Sequence, residues 1–246
     1  LKQIYDKDLM YKGYTIQPYS PKAGTGLSSH EVNQPGSYRD VTDTTVVAQF
    51  KALNETLPSF LKEFGDIYIL AWTTTPWTIP SSQAISMGAE LEYSLVQCAT
   101  DTGPIRLICS QTLLGSVMER LEIADYQVLA RCQGEALEGL VAEHPFYERN
   151  IPVLLGDHVT TDAGTGCVHT APDHGMEDFT VAKQYGIGTL NYVMDNGLFR
   201  DDVELFAGEH VYKVETHIID VLRENNRLMA CSKITHSYAH CWRTKT

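Results

Sequence analysis

Two stretches hold side chains whose types and spacing could do chemistry. The first, Trp72-Thr73-Thr74-Thr75-Pro76-Trp77-Thr78-Ile79-Pro80, crowds four hydroxyls and two indoles into a segment that leaves a strand and becomes a loop pinned by two prolines. Proline fixes φ and removes a backbone donor, so such a loop can hold hydroxyls where they orient a water or a ribose. The plainer reading is a threonine-rich strand end followed by a turn, with the tryptophans in the core. The second runs from Asp162 to Phe179. Gly164, Gly166 and Gly175 let the backbone approach a ligand closely, and His169, His174, Glu177 and Asp178 supply polar groups near a strand end and a helix start. A single histidine there is more often structural than catalytic; the cluster raises the case for a site. The glycines do not match the spacing of a dinucleotide fingerprint. Two further readings stay open: a metallohydrolase with His169, His174, Glu177 and Asp178 as ligands, and a binding module without turnover.

Positioning these side chains requires strands. Asp40 to Leu53 and Asp66 to Thr75 read as sheet strands, and Leu91 to Cys109 as a hairpin turning at Asp101-Thr102-Gly103-Pro104. Strands are also expected at Tyr14 to Ile16, Tyr126 to Cys132, Ile151 to Leu155, Asp157 to Thr161, Gly166 to Thr170 and Leu228 to Thr235. Leu1 to Tyr11 is loosely compatible with a short helix ended by Gly13. Longer helices are expected over Gln111 to Leu121, from Gly175 to near Gly186, and over Val211 to Asn226; Ser20 to Gly36 reads as a loop. The fold class is therefore mixed α/β (α+β), with a curved, barrel-like sheet core and peripheral helices.

At 246 residues the chain can bury a substantial core. No apolar run approaches the roughly 20 residues of a bilayer span, so no membrane partner is expected. Leu1 to Gly13 lacks the apolar stretch of a signal peptide and an initiating Met, which makes a piece of something longer the expectation. The six cysteines form no C-x-x-C pair, as expected of free thiols in the cytoplasm. A net charge of −12 runs against extensive phosphate binding.

The string AWTTTPWTIPSSQAIS, Ala71 to Ser86, closely resembles the threonine-rich motif of isoleucyl-tRNA synthetase editing domains, and GDHVTTDAGTGCVHTAPDHGMEDF, Gly156 to Phe179, resembles their second motif. Valyl and leucyl relatives share the Gly-Thr-Gly turn and an acidic residue but carry Thr-Arg-Pro, so the isoleucyl assignment rests on Thr74 to Trp77 and on His169-Thr170-Ala171-Pro172. His236 to Arg243 resembles the strand that returns to the catalytic core. The resemblance spans nearly the whole chain and is weakest between Lys22 and Phe64. The His-x-Gly-His and Lys-Met-Ser-Lys-Ser signatures of that core are not in the sequence, so aminoacylation is not expected of this chain.

The resemblance implies the class I editing-domain fold over residues 1–246. Its core would span about 40–235, and 1–39 with 236–246 would be stalk segments leading to the catalytic domain. It also implies post-transfer editing, the hydrolysis of valine from isoleucine tRNA. One methylene is worth only about 1–3 kcal/mol in a hydrophobic pocket, a magnitude for which isoleucyl-tRNA synthetases are themselves the standard worked example, so a second sieve is needed. By the same resemblance Asp178 pairs with the α-ammonium and stays ionised at a helix start. His169 borders the aliphatic side chain, while Thr73, Thr74 and Thr75 hold the terminal adenosine and the attacking water. Trp77, Ser82, Gly166, Thr170 and His174 line the substrate. A ribose hydroxyl of the tRNA helps place the water, so no protein general base is assigned. Ser82 departs from the family, where many members have Asn. The stalk segment from Tyr19 to Gly24 has no cysteine pair, and Thr244 stands where a second thiol would follow Cys241, so neither a structural zinc nor any cofactor is expected. The implied partners are the valine-carrying acceptor end of isoleucine tRNA and the synthetase's catalytic domain; the rest of the synthetase would grip the tRNA body, which accommodates the acidic charge.

Overall fold

In the computed structural model, which describes residues 1–100 and 103–245, the chain begins with a short helix, Lys2–Tyr5 (α1). A two-stranded ribbon follows, Tyr19–Ser20 (β1) paired with Thr25–Gly26 (β2). A one-turn helix, Ser29–Val32 (α2), starts at a capping box: Ser28 Oγ accepts from the Glu31 N–H and the Glu31 carboxylate accepts from the Ser28 N–H. The chain then lays down Tyr38–Lys51 (β3), Tyr68–Thr73 (β4), Ala84–Met87 (β5), Glu92–Thr100 (β6), Gly103–Ser110 (β7) and the helix Leu114–Arg120 (α3). Tyr126–Gln133 (β8), Val141–Glu143 (β9), Asn150–Leu155 (β10) and Cys167–Thr170 (β11) come next, then the helices Met176–Gln184 (α4) and Glu215–Glu224 (α5), and finally Leu228–Ala239 (β12).

These strands form a six-stranded sheet in the order β12-β3-β4-β7-β6-β8 and a four-stranded sheet in the order β11-β5-β10-β9. Pairing is antiparallel except between β4 and β7 and between β5 and β10. Period-two alternation explains how the larger sheet is buried on both faces. Val46, Ala48 and Phe50 of β3, with Ile69 and Ala71 of β4, face a core shared with Ile85, Met87, Ile151 and Val153 of the smaller sheet and with Ile218 and Leu222 of α5. Val47 and Leu70 point the other way, into a second core with Leu114, Val117 and Met118 of α3. The far side of the smaller sheet is covered by α4, where Val181 meets Ala84 and Leu154. An isolated bridge, Ala52 with Ala142, and the Leu53 N–H donating to Val141 O at 2.8 Å join the two sheets at one side. The mixed α/β class is as the sequence indicates, with the strands divided between two main sheets.

Several local expectations change. Tyr14 to Ile16 is not a strand; Tyr14 is exposed, and its side chain is tied to the body by a bond to Asp173. The Ser20 to Gly36 segment is more than a loop, since it holds β2 and α2. Asp157 to Thr161 is a turn, closed by the Val159 N–H on Gly156 O, and not a strand. The last helix begins at Glu215 rather than near Val211, and the last strand runs on to Ala239, past Thr235. Of the expected hairpin turn, Asp101 and Thr102 lie outside the described residues; the flanking pair is Thr100 with Gly103. No helix among the described residues is long and apolar enough to cross a membrane.

Candidate functional site

The threonine-rich segment leaves β4 at Thr73 and turns through a 3-10 helix, Pro76–Ser81, before β5. Hydroxyls hold the turn together. Thr73 Oγ1 accepts from the Thr75 N–H at 3.1 Å and lies 3.2 Å from Thr75 Oγ1. Thr78 Oγ1 donates to Thr75 O at 2.8 Å. Thr74 is half-buried between these neighbours, and its hydroxyl makes no hydrogen bond among the described residues. Pro76 and Pro80 are both buried in the turn.

The second segment reaches the first through β5 and β11, which pair antiparallel with His169 opposite Ile85 and Thr170 opposite Ala84. That register brings His169 against the turn. Ser82 Oγ lies 2.7 Å from His169 Nδ1, and Thr78 Oγ1 lies 3.2 Å from His169 Nε2. Because the Thr78 proton is given to Thr75 O, Thr78 accepts from Nε2–H and Ser82 donates to Nδ1, which fixes the neutral Nε2–H tautomer. Burial, with a smaller effect from His174, pushes His169 down to about 4. Both ring nitrogens are committed to the protein. What the ring can offer a ligand is its carbon surface.

His174 is also pushed down to about 4 by burial, and its Nε2 lies 3.1 Å from Ser81 Oγ. The Trp77 indole meets the His174 ring edge-on at 4.9 Å. Thr78, Ser81 and Ser82, all on one turn, thus hold both histidines.

Asp178 stands in the first turn of α4, whose N-cap is Gly175. Its Oδ2 accepts from the Ala171 N–H at 2.8 Å. A helix start favours a carboxylate, yet burial wins: the Asp178 carboxyl is raised above its ordinary value, with the Ala171 N–H and His158 pulling it down and Glu177 pushing it up. A Cβ at Gly175 would sit 3.1 Å from Asp178 Cγ, so glycine at this N-cap leaves the carboxyl its place.

Gly166 and Thr170 lie deeper. Gly166 has φ +76°, and its carbonyl accepts from the Tyr93 hydroxyl at 2.6 Å; Tyr93 in turn accepts from the Gly88 N–H. Thr170 is fully buried, with Oγ1 2.6 Å from Ser86 Oγ. Sequence reasoning misses Tyr93, Ser81 and Ser86 because their contacts depend on strand register; Thr78 is visible there only as one of four hydroxyls. Among the described residues no group of three or more His, Cys, Asp or Glu gathers as a metal site. Glu177 is exposed, and the two histidines are taken up by serine and threonine hydroxyls.

Known proteins resemble this chain in sequence and in fold. Residues 119–227 match the family model described as leucyl-tRNA synthetase, editing domain. The isoleucine--tRNA ligase of Hahella chejuensis is 54% identical over 250 residues, covering 100% of this chain and 26% of the relative. That of Teredinibacter turnerae is 48% identical, again over 100% of this chain and 26% of the relative. The chain belongs to the isoleucyl-tRNA synthetase editing domains. This editing domain spans about a quarter of the length of those relatives, 26% in each case. Solved structures share the fold: GlLeuRS-CP1 at TM-score 0.61 and 15% identity, covering 76% of this chain and 99% of that one. The P. knowlesi cytosolic leucyl-tRNA synthetase editing domain aligns at TM-score 0.55 and 12% identity, covering 80% and 97%.

Proposed function

We propose that this editing domain hydrolyses valine from mischarged isoleucine tRNA. The observation that carries the reading is His169, held by Ser82 on one nitrogen and Thr78 on the other. A histidine so held, neutral and turned carbon-first, is a poor proton acceptor and a good wall. It would exclude a side chain one methylene larger, the discrimination that binding alone supplies weakly.

Asp178 supplies the charge. One carboxylate oxygen is taken by the Ala171 N–H, and the other would receive the α-ammonium of the esterified amino acid. Burial that raises a lone carboxyl is offset when a cation arrives, so the ammonium would bring its own partner into the ionised state. Thr73, Thr74 and Thr75 would hold the terminal adenosine and the water, with Trp77 and His174 beside them and Gly166 and Thr170 supporting the strand behind. The water oxygen adds to the ester carbonyl carbon, the carbon–oxygen bond to the ribose breaks, and the departing ribose oxygen takes the proton. Orientation and polarisation drive such a step without a covalent nucleophile.

In this reading residues 40–235 are the editing core, and 1–39 with 236–246 lead to the synthetase's catalytic domain, in the cytoplasm. The long β3–β12 ladder, which pairs Tyr38 with Ala239, supports such a paired arm. The test is single-turnover deacylation of valyl-tRNA by the domain and by Asp178→Asn, which keeps an acceptor for Ala171 but no charge. A rate equal to wild type in the variant refutes the ammonium role.

A further inference from the structure

The loop between β9 and β10, His144-Pro145-Phe146-Tyr147-Glu148-Arg149, reaches across to the threonine-rich turn. His144 Nε2 lies 2.9 Å from Ile79 O, and Arg149 Nη2 donates to Pro80 O at 2.7 Å. Ile79 and Pro80 are buried; without the clamp the Pro80 carbonyl would lose the Arg149 donor, and Ile79 O would keep only the Ser82 N–H at 2.9 Å. The loop is built to hold His144 in one state. Its Nδ1 accepts from the N–H groups of Phe146 and Tyr147, at 3.3 and 3.1 Å, and its backbone N–H donates to Arg149 O at 2.8 Å. With two donors on Nδ1, the proton must sit on Nε2, where it is given to Ile79 O. Tyr147 stacks on the imidazole at 5.0 Å and Phe146 meets it edge-on at 4.7 Å. The Arg149 guanidinium lies over the Tyr147 ring at 5.5 Å and contacts the Tyr192 hydroxyl.

We propose that His144 and Arg149 are positioning residues for the editing site, acting on the Pro76–Ser81 turn and through it on His169 and His174. The chain of contact is short. The clamp fixes the carbonyls of Ile79 and Pro80; the same turn carries Thr78, Ser81 and, just beyond, Ser82, which orient the two histidines. The side-chain hydrogen bonds of both clamp residues run to Ile79, Pro80, Phe146, Tyr147 and Tyr192 rather than to His169, His174 or Asp178. The inference rests on the proposed deacylation for its kinetic consequence but not for its structural one.

The test measures amide hydrogen exchange in the wild type, Arg149→Met and Arg149→Lys, and His144→Gln where it folds, alongside deacylation of valyl- and isoleucyl-tRNA. The Thr78, Ser82 and Gln83 amides, bonded to Thr75 O, Ile79 O and Thr170 O, report on the turn, and the β6–β7 hairpin is the reference. Arg149→Met is expected to speed exchange in the turn on the order of tenfold, as for the loss of one charged hydrogen bond, with the hairpin unchanged. Arg149→Lys should restore part of the protection. In the same variants the valyl rate should fall and rejection of the isoleucyl ester relax in parallel with turn exchange. Turn exchange that stays at the wild-type rate, or rises no more than in the hairpin, overturns the positioning role. A wild type without deacylation would instead refute the proposed function, while the exchange comparison would still decide the clamp.

Discussion

Ser82 Oγ lies 2.7 Å from His169 Nδ1, joining residues 87 positions apart in sequence. The bond links the end of the threonine-rich turn to the strand of the second motif, and Ser82 has no exposed surface. Ser82→Ala leaves Nδ1 unpartnered in a buried place, at a cost of about 1–3 kcal/mol. The ring is then free to move, so rejection of the isoleucyl ester should weaken more than valyl hydrolysis. The ratio of the two deacylation rates checks this, with an unchanged ratio counting against the wall.

Thr73→Val removes the acceptor of the Thr75 N–H and the contact with Thr75 Oγ1 while keeping the shape of the side chain. A stability loss of about 1–2 kcal/mol is expected from the orphaned N–H, together with a slower hydrolytic step. Denaturant midpoints and single-turnover rates measure the two effects separately.

Gly166→Ala should be damaging for two independent reasons. The position has φ +76°, and a Cβ there would stand 2.4 Å from Ser110 Cβ, at the neck between β7 and β11. Left-handed strain and overpacking together predict a loss of about 2–5 kcal/mol, seen as a large drop in thermal midpoint. Gly164→Ala, where the nearest contact is Trp72 at 3.1 Å, should be milder on the second count.

Burial holds His144 at about 3 and His169 and His174 at about 4, all below the ordinary histidine value of 6.5. The folded state therefore binds fewer protons than the unfolded one between those values. The contribution of these groups is complete above pH 6.5 and is lost as pH falls from there toward 4 and then 3. Thermal midpoints should decline over that window, and less steeply in a His169→Asn variant. The proposed function, in which a neutral imidazole bonded at both nitrogens does not serve as the base, predicts no inflection in the deacylation rate near 6.5 that His169→Asn removes.

The strands of the larger sheet were legible because β-branched and aromatic residues fill them: Thr42 to Phe50 and Tyr68 to Trp72 leave little choice. The smaller sheet was half hidden. β5 and β9 have four and three residues, too few for a period to register. Ser28 and Glu31 did spell a capping box, but the glycines and prolines around them masked one helical turn. Asp157 to Thr161 has the composition of a strand, yet the chain folds back on itself there through Val159 and Gly156. Within the site, the threonines, His169 and Asp178 could be named from their motifs. Their couplings could not, since Ser82–His169, Ser81–His174 and Arg149–Pro80 each depend on which strands pair and in what register.

The most direct test of the account compares release of valine and of isoleucine from isoleucine tRNA, by this chain and by its Asp178→Ala variant, with excess chelator present. The account predicts that the wild type frees valine and spares isoleucine despite the chelator, and that the variant folds but frees neither. Valine release by Asp178→Ala at the wild-type rate would contradict it.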